Sequence, residues 1–107
     1  MNTLNAVTVT TDGTASLVQI DQDFRSYQKV VGGYIEALFG PNITLYMNEE
    51  GYVQGLDHNA SASLFVKKFL WRSHPISGDV LILGGPDEEG NDTHVHKSVI
   101  DYYELEK

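Results

Sequence analysis

The residues with the clearest chemical potential are two histidines one residue apart, in the triplet His94-Val95-His96. Alternate side chains of an extended strand point to the same face, so both imidazoles can bind one metal ion if a third ligand arrives. Four acids lie just before them, between residues 87 and 92. The hypothesis that follows is a metal-assisted hydrolase that uses His94, His96 and this acidic loop.

Other familiar catalytic arrangements are not found in the sequence. There is no cysteine, which excludes disulfides, thiolate catalysis and cysteine-ligated zinc. His58 and His74 lie near serines, but neither is part of a nucleophile elbow. The run Gly84-Gly85-Pro86 lacks the lysine and hydroxyl residue of a phosphate loop. We therefore predict no catalytic residue and no cofactor, and we expect a binding protein more than an enzyme.

The charge of the chain is strongly negative and unevenly placed. The net charge is −8, and residues 87–107 hold seven acids and two bases, a net of −5. Direct binding to a phosphate backbone is disfavoured, because it requires clustered lysine and arginine. The acidic segment is either a solubilising surface or a face for a basic partner, in the extreme an inhibitor that mimics nucleic acid.

One short segment is basic and aromatic. It contains Lys67, Lys68, Trp71, Arg72 and His74. The ordinary interpretation is that Trp71 packs in the core and the bases lie on the surface. The alternative is a small patch that binds anions or stacks on nucleotides.

The elements that would position these residues begin with a hairpin. The length of 107 residues and the apolar fraction of 41% predict a single domain over residues 1–107. Residues 6–10 and 16–20 alternate as two strands around the turn dipeptide Asp12-Gly13. A helix follows over residues 21–39, capped by Asp21 and ended by Gly40 and Pro41. Residues 43–47 and 52–54 then predict a second hairpin, with Gly51 in its turn.

The second half predicts a helix, a buried strand and a last helix. Asn59 or Ser61 can cap a helix that runs to about residue 68, and residues 80–83 form a short apolar run typical of a central strand. Residues 93–96 suggest a short edge strand, and Ser98 with Asp101 resembles a capping box. We predict an α+β fold in the order ββαββαβ(β)α: a mostly antiparallel sheet of four to six strands with two or three helices on one face. The alternative is a small α/β sandwich with one parallel pair.

The adjacent glycines Gly32 and Gly33 conflict with a continuous first helix, because each costs about 1 kcal/mol relative to alanine. At about 100° per residue, Gly33 lies about 200° from Val31, opposite the apolar stripe. Packing within the domain does not explain a glycine there. Either the helix kinks or frays at the pair, or another molecule contacts Gly33 from outside.

Several pieces of the sequence resemble a known family. These are VGGYIE (31–36), NEEG (48–51), Leu56 with Asn59 and Ala62, and GDV (78–80) with Gly84, in this order. They resemble a small family described only as a domain of unknown function, which is found in phages of actinobacteria and in bacterial plasmids and other mobile elements. The resemblance covers roughly residues 18–85. It implies a bacterial or phage context and no known enzymatic activity.

The matched polar residues suggest a binding site. Glu36, Asn48, Glu49 and Asn59 can line one cleft if the first helix, the turn and the loop converge; otherwise the asparagines satisfy turns and caps. With the glycine pair, the predicted binding residues are Gly32, Gly33, Tyr34, Glu36, Asn48, Glu49 and Asn59.

The expected context is the bacterial cytoplasm. The sequence opens without a signal peptide and has no apolar stretch long enough to span a bilayer, so we expect no membrane partner. The predicted function is that of a phage or mobile-element accessory protein that binds a host protein, a small molecule or a second copy of itself.

Overall fold

The protein folds around a five-stranded antiparallel sheet with helices on both faces. The computed structural model describes residues 2–105. The elements in chain order are β1 (Thr3–Val9), β2 (Ala15–Asp21), α1 (Phe24–Val31), β3 (Ile35–Gly40), β4 (Ile43–Asn48), α2 (Ala60–Leu70), β5 (Val80–Leu83) and α3 (Lys97–Tyr102). The strand order is β2-β1-β5-β4-β3. The predicted α+β class is confirmed, with the observed order ββαββαβα.

The N-terminal hairpin and the central strand confirm their predictions. In the β1–β2 hairpin Val9 pairs with Ala15, and Gly13 takes a φ of 89° in the turn. Strand β5 pairs with β1 on one side and with β4 on the other. All four of its residues are buried, because both faces of the sheet are covered at its centre.

The predicted helix over residues 21–39 is wrong in its second half. Helix α1 is capped by Asp23, not Asp21, and it ends at Val31. Gly32 has a φ of 80°, and its N–H donates to the carbonyl of Gln28, which closes the helix. Residues 35–40 then form an edge strand. Their apolar residues satisfy period 2 as well as period 3.6, and six paired positions on β4 favour the strand.

The predicted second hairpin is also wrong. Strand β4 pairs with the preceding β3, across a turn formed by Pro41 and Asn42, where Asn42 has a φ of 60°. Residues 49–55 form a compact series of turns, not a returning strand. Gly40 and Pro41 thus end a strand, not a helix.

The three helices lie on both faces of the sheet, which corrects the expectation of one face. Helices α2 and α3 pack on the face that carries Val7, Leu45 and Ile82, and α1 packs on the face that carries Tyr46 and Leu81. Each named strand pairs antiparallel within residues 2–105, so the alternative with a parallel pair is wrong.

The ends of the later elements differ in part from prediction. Asn59 caps α2 as expected. His96, not Ser98, caps α3, since its ring accepts from the backbone N–H of Ser98. Residues 93–96 form no strand. A bridge between Thr93 and Gly84 joins them to the sheet, and so does a hydrogen bond from the N–H of Val95 to the carbonyl of Asn5.

The longest helix of the described chain is α2, with 11 residues, and no helix within residues 2–105 combines the length and apolar character needed to cross a bilayer.

Candidate functional site

Three of the predicted binding residues meet at one corner of the protein. Glu36, Asn48 and Glu49 line a depression of about 310 Å³, together with Tyr52 and His74. The backbone N–H of Glu49 donates to the carbonyl of Tyr34 over 2.8 Å, which joins the start of β3 to the end of β4. The side chain of Tyr34 is 70% exposed beside this junction.

Asn48 holds this corner together. Its Nδ2 donates to the carbonyl of Val31 (3.2 Å) and to Oε1 of Gln54 (3.3 Å), and its Oδ1 accepts from the N–H of Glu50 (2.8 Å). The side chain is buried. Asn48 therefore satisfies the backbone of the helix end and of the following turn.

The glycine pair has an internal explanation. Gly33 lies after α1 has ended, and a Cβ added to it would lie 2.9 Å from Nδ2 of Asn48. Gly32 needs a left-handed backbone, and a Cβ there would meet open space. Gly33 is not helical, so the predicted position of Gly33 on the outward face of a helix is wrong.

Alanine is expected to lower the free energy of unfolding at both glycines, for a different reason at each position. Gly32→Ala is expected to cost about 1–2 kcal/mol from its left-handed backbone, and Gly33→Ala about 1–3 kcal/mol from crowding of the buried Asn48 amide. Urea unfolding measures both. In an Asn48→Ala background the cost of Gly33→Ala should fall and that of Gly32→Ala should persist. Equal costs of Gly33→Ala in both backgrounds would contradict the crowding explanation.

Asn59 lies away from the corner. It is fully buried, and its Nδ2 donates to the carbonyls of Val9 and Gly78, both at 3.0 Å. Its Oδ1 accepts from the N–H of Ala62, which caps α2. The predicted cleft therefore contains three of its four polar residues, and Asn59 instead joins α2 to the sheet.

Other residues of the family-like pieces also have internal roles. A Cβ on Gly51 would collide with the carbonyl oxygen of Ser77, and one on Gly84 with the carbonyl oxygen of His94. Gly78 has a φ of 95°. These glycines are needed where two backbone segments approach closely or the chain turns.

The two histidines do not form a ligand pair on a strand. Nδ1 of His94 accepts from the backbone N–H of Asn5 (3.0 Å), and Nδ1 of His96 accepts from that of Ser98 (3.1 Å). Each ring thus has one nitrogen bound to the backbone. Within residues 2–105, no group of three His, Asp or Glu side chains is placed to hold a metal ion.

Trp71 does not pack in the core, contrary to the ordinary interpretation. It is 80% exposed at the end of α2, with a φ of 53°. Leu64, Lys67 and Lys68 are exposed on the same helix face, and Arg72 donates to the carbonyl of Phe39 at 3.4 Å. The basic and aromatic cluster is therefore a surface patch.

A cleft that the sequence analysis missed lies beside the N-terminus of α1. Two adjoining depressions, of about 1030 and 320 Å³, share Gln22, Asn91 and Asp92 in their walls. We call them together the acidic cleft. The carboxylates in its walls are Asp23, Asp87, Glu89 and Asp92. No lysine or arginine of the described chain lines it.

The loop over residues 87–92 is held in a defined shape. Oδ1 of Asp87 accepts from the N–H groups of Glu89 and Asn91, both at 2.9 Å. Nε2 of Gln22 donates to the carbonyl of Asp92 over 3.4 Å, which ties the loop to the end of β2. These hydrogen bonds fix the loop that carries the cleft carboxylates Asp87, Glu89 and Asp92.

Tyr27 and Asp92 line the smaller depression, and both contact the side chain of Tyr46. The rings of Tyr27 and Tyr46 stack with centroids 5.0 Å apart. The Tyr46 hydroxyl donates to both oxygens of Asp92, at 3.0 and 2.9 Å. The Tyr27 hydroxyl is buried near the same carboxylate but makes no hydrogen bond of acceptable geometry within residues 2–105. We call these three side chains the Asp92 cluster.

The surroundings of Tyr27 and Tyr46 in the Asp92 cluster favour the protonated, neutral form of both phenols. Burial, followed by the charge of Asp92, raises the pKa of Tyr27 above the ordinary value of 10.0. Burial, followed by the hydrogen bond to Asp92, raises the pKa of Tyr46. Burial also raises the pKa of Tyr103, at the end of α3, to about 12.

These shifts predict alkaline destabilisation. The folded protein keeps its phenols protonated where the unfolded chain ionises, so the stabilisation is complete below pH 10.0 and is lost as the pH rises through the folded pKa values. Urea unfolding at about pH 9 and about pH 11 should show a lower free energy of unfolding at the higher pH. A Tyr27→Phe, Tyr46→Phe double variant should lose less over this interval, and an equal loss would contradict the assignment.

Comparison with known proteins gives a family. Neither a search of curated proteins nor a search of solved structures found a match. A family model does match, over residues 3–106, and so covers β1 through α3 and both the corner and the acidic cleft. The chain belongs to the family described as Domain of unknown function (DUF3846).

Proposed function

We propose that this protein is a non-enzymatic accessory protein of a phage or mobile element, and that it acts by binding a positively charged protein through the acidic cleft. The observation that carries the proposal is the composition of the cleft: four carboxylates, and no lysine or arginine from residues 2–105. A concave surface of one charge attracts the opposite charge and raises the rate of encounter. The origin and the bacterial cytoplasm as its place of action rest on the family resemblance.

The cleft carboxylates have no ion-pair partner within residues 2–105, which supports a positively charged partner for this surface. The ion pair found within the described chain joins Lys97 to Asp101, on α3. Glu88 and Glu89 are exposed, so the fold does not need these two loop acids for its packing. Basic partners include proteins that bind nucleic acid, and against these the chain would act as an acidic inhibitor.

The hydrolase hypothesis has less support. The geometry of His94 and His96 departs from the strand arrangement that motivated it, since both Nδ1 atoms accept backbone hydrogen bonds. The described chain also offers no third ligand. Binding through the acidic cleft requires none of these features.

The experiment compares two matched glutamate pairs. Glu89 lines the acidic cleft and Glu88 precedes it in the same loop; Oδ1 of Asp87 accepts from the backbone N–H of Glu89. Glu49 and Glu50 follow Asn48, whose Oδ1 accepts from that of Glu50. Both pairs are exposed in turns, and converting either pair to glutamine changes the net charge equally.

An arginine-rich peptide serves as the probe, with affinity measured by fluorescence anisotropy. Neutralising Glu88 and Glu89 is expected to weaken binding about fivefold at low salt, because each exposed charge contributes about 0.5 kcal/mol. Neutralising Glu49 and Glu50 should have a smaller effect. Absence of binding to the wild-type protein, or equal effects of the two double variants, would contradict the proposed function.

A further inference from the structure

We propose that the Asp92 cluster is the subsite that receives one arginine side chain of the partner. The inference rests on the proposed function and adds the chemical group that is recognised. The guanidinium would lie between the Asp92 carboxylate, the Tyr27 hydroxyl and the exposed ring of Phe24, all of which line the smaller depression.

The first observation is the hydroxyl of Tyr27. This residue is 1% exposed, and its hydroxyl lies near the Asp92 carboxylate without a hydrogen bond of acceptable geometry within residues 2–105. A buried polar group that is left without a hydrogen bond destabilises the fold. Because Tyr27 lines the depression, a ligand seated there can supply the missing partner.

The second observation is the charge around that hydroxyl. Asp92 accepts from Tyr46 and retains lone pairs for further donors. Asp23 lies in the same wall, and its Oδ1 accepts from the N–H of Ser26. An anionic ligand would be repelled by these carboxylates. The described chain has no group of three His, Asp or Glu that could hold a metal ion, so the ligand class is an organic cation.

The shape of the site favours guanidinium over ammonium. Phe24 is 66% exposed and meets Tyr27 edge-on, with ring centroids 6.2 Å apart. A guanidinium is planar, stacks on aromatic faces and donates several N–H groups in a fixed fork. A carboxylate and a phenol oxygen beside an exposed ring match that fork. A lysine ammonium is more strongly hydrated and gains less from the ring.

The test uses arginine-rich and lysine-rich peptides of equal length and charge, and the variant Tyr27→Phe. This change removes an unpaired hydroxyl and keeps the ring, so the variant should fold at least as stably as the wild type. Tyr34→Phe is the matched control, because Tyr34 is exposed outside the cleft.

The wild type is expected to bind the arginine peptide at least about fivefold more tightly than the lysine peptide, equivalent to about 1 kcal/mol. Tyr27→Phe should reduce this preference without changing the affinity for the lysine peptide, and Tyr34→Phe should leave both unchanged. Equal wild-type affinities for the two peptides, or a preference that survives in Tyr27→Phe, would overturn the arginine subsite while the proposed function stands. Failure of both peptides to bind would overturn the proposed function as well.

Discussion

Replacing Asn59 with alanine is expected to lower the free energy of unfolding by about 3 kcal/mol. The side chain is fully buried and makes three hydrogen bonds: two donated to the carbonyls of Val9 and Gly78, and one accepted from the N–H of Ala62. Loss of the cap costs about 1 kcal/mol. Each buried carbonyl left unpaired adds about 1 kcal/mol. Urea unfolding followed by circular dichroism measures the change.

One further variant separates the roles of Asn59, and a second, at another asparagine, is its control. Asn59→Asp keeps an acceptor for the cap but places a carboxylate oxygen against the two carbonyl oxygens. It should therefore destabilise the protein at least as much as Asn59→Ala. Asn5→Ala, at an exposed position on β1, should change stability by less than about 0.5 kcal/mol. An Asn59→Asp protein as stable as the wild type would show that the two donated bonds contribute little.

Replacing Gly84 with alanine is expected to damage both the fold and the acidic cleft. The N–H of Gly84 donates to the carbonyl of Thr93 over 3.0 Å, and an added Cβ would collide with the His94 carbonyl oxygen and the Thr93 hydroxyl. The segment that carries residues 93 and 94 must then move, and Asp92 is adjacent to it. We expect a loss of about 2–3 kcal/mol in the free energy of unfolding. We also expect weaker binding of the arginine-rich peptide.

The control for Gly84 is a glycine in open space. A Cβ on Gly13 meets nothing within 4 Å, and its φ of 89° makes alanine unfavourable for the backbone alone. Gly13→Ala should therefore cost about 1–2 kcal/mol and leave peptide binding unchanged. Unchanged stability and binding in Gly84→Ala would mean that the 93–94 segment does not fix the position of Asp92.

The sequence could predict the elements whose signals are local. Asp12-Gly13 determines a hairpin turn, the apolar run over residues 80–83 indicates a buried strand, and Asn59 is a good cap. Residues 35–40 could not be assigned in this way, because their pattern fits a helix and a strand. Pairing with β4 decides the outcome, and that pairing is tertiary information.

The acidic cleft could not be predicted for a related reason. Tyr46 and Asp92 are 46 residues apart in the chain, and Tyr27 lies on another element. In the sequence Tyr27 is one of several apolar-face residues, and Asp92 is one of four acids in a loop. The charge of the sequence does indicate residues 87–107 as either a solubilising surface or a face for a basic partner. The fold adds the aromatic side chains of Phe24 and Tyr27, which line the smaller depression together with Asp92.

We propose the acidic cleft, and not the corner around Asn48, as the binding surface. Two-dimensional NMR of the labelled protein, titrated with the arginine-rich peptide, tests this most directly. We predict that backbone amide shifts change over residues 22–27 and 87–94, with the largest changes at Tyr27 and Asp92. Shifts confined to Tyr34, Glu36 and Glu49, or spread evenly over the surface, would contradict it.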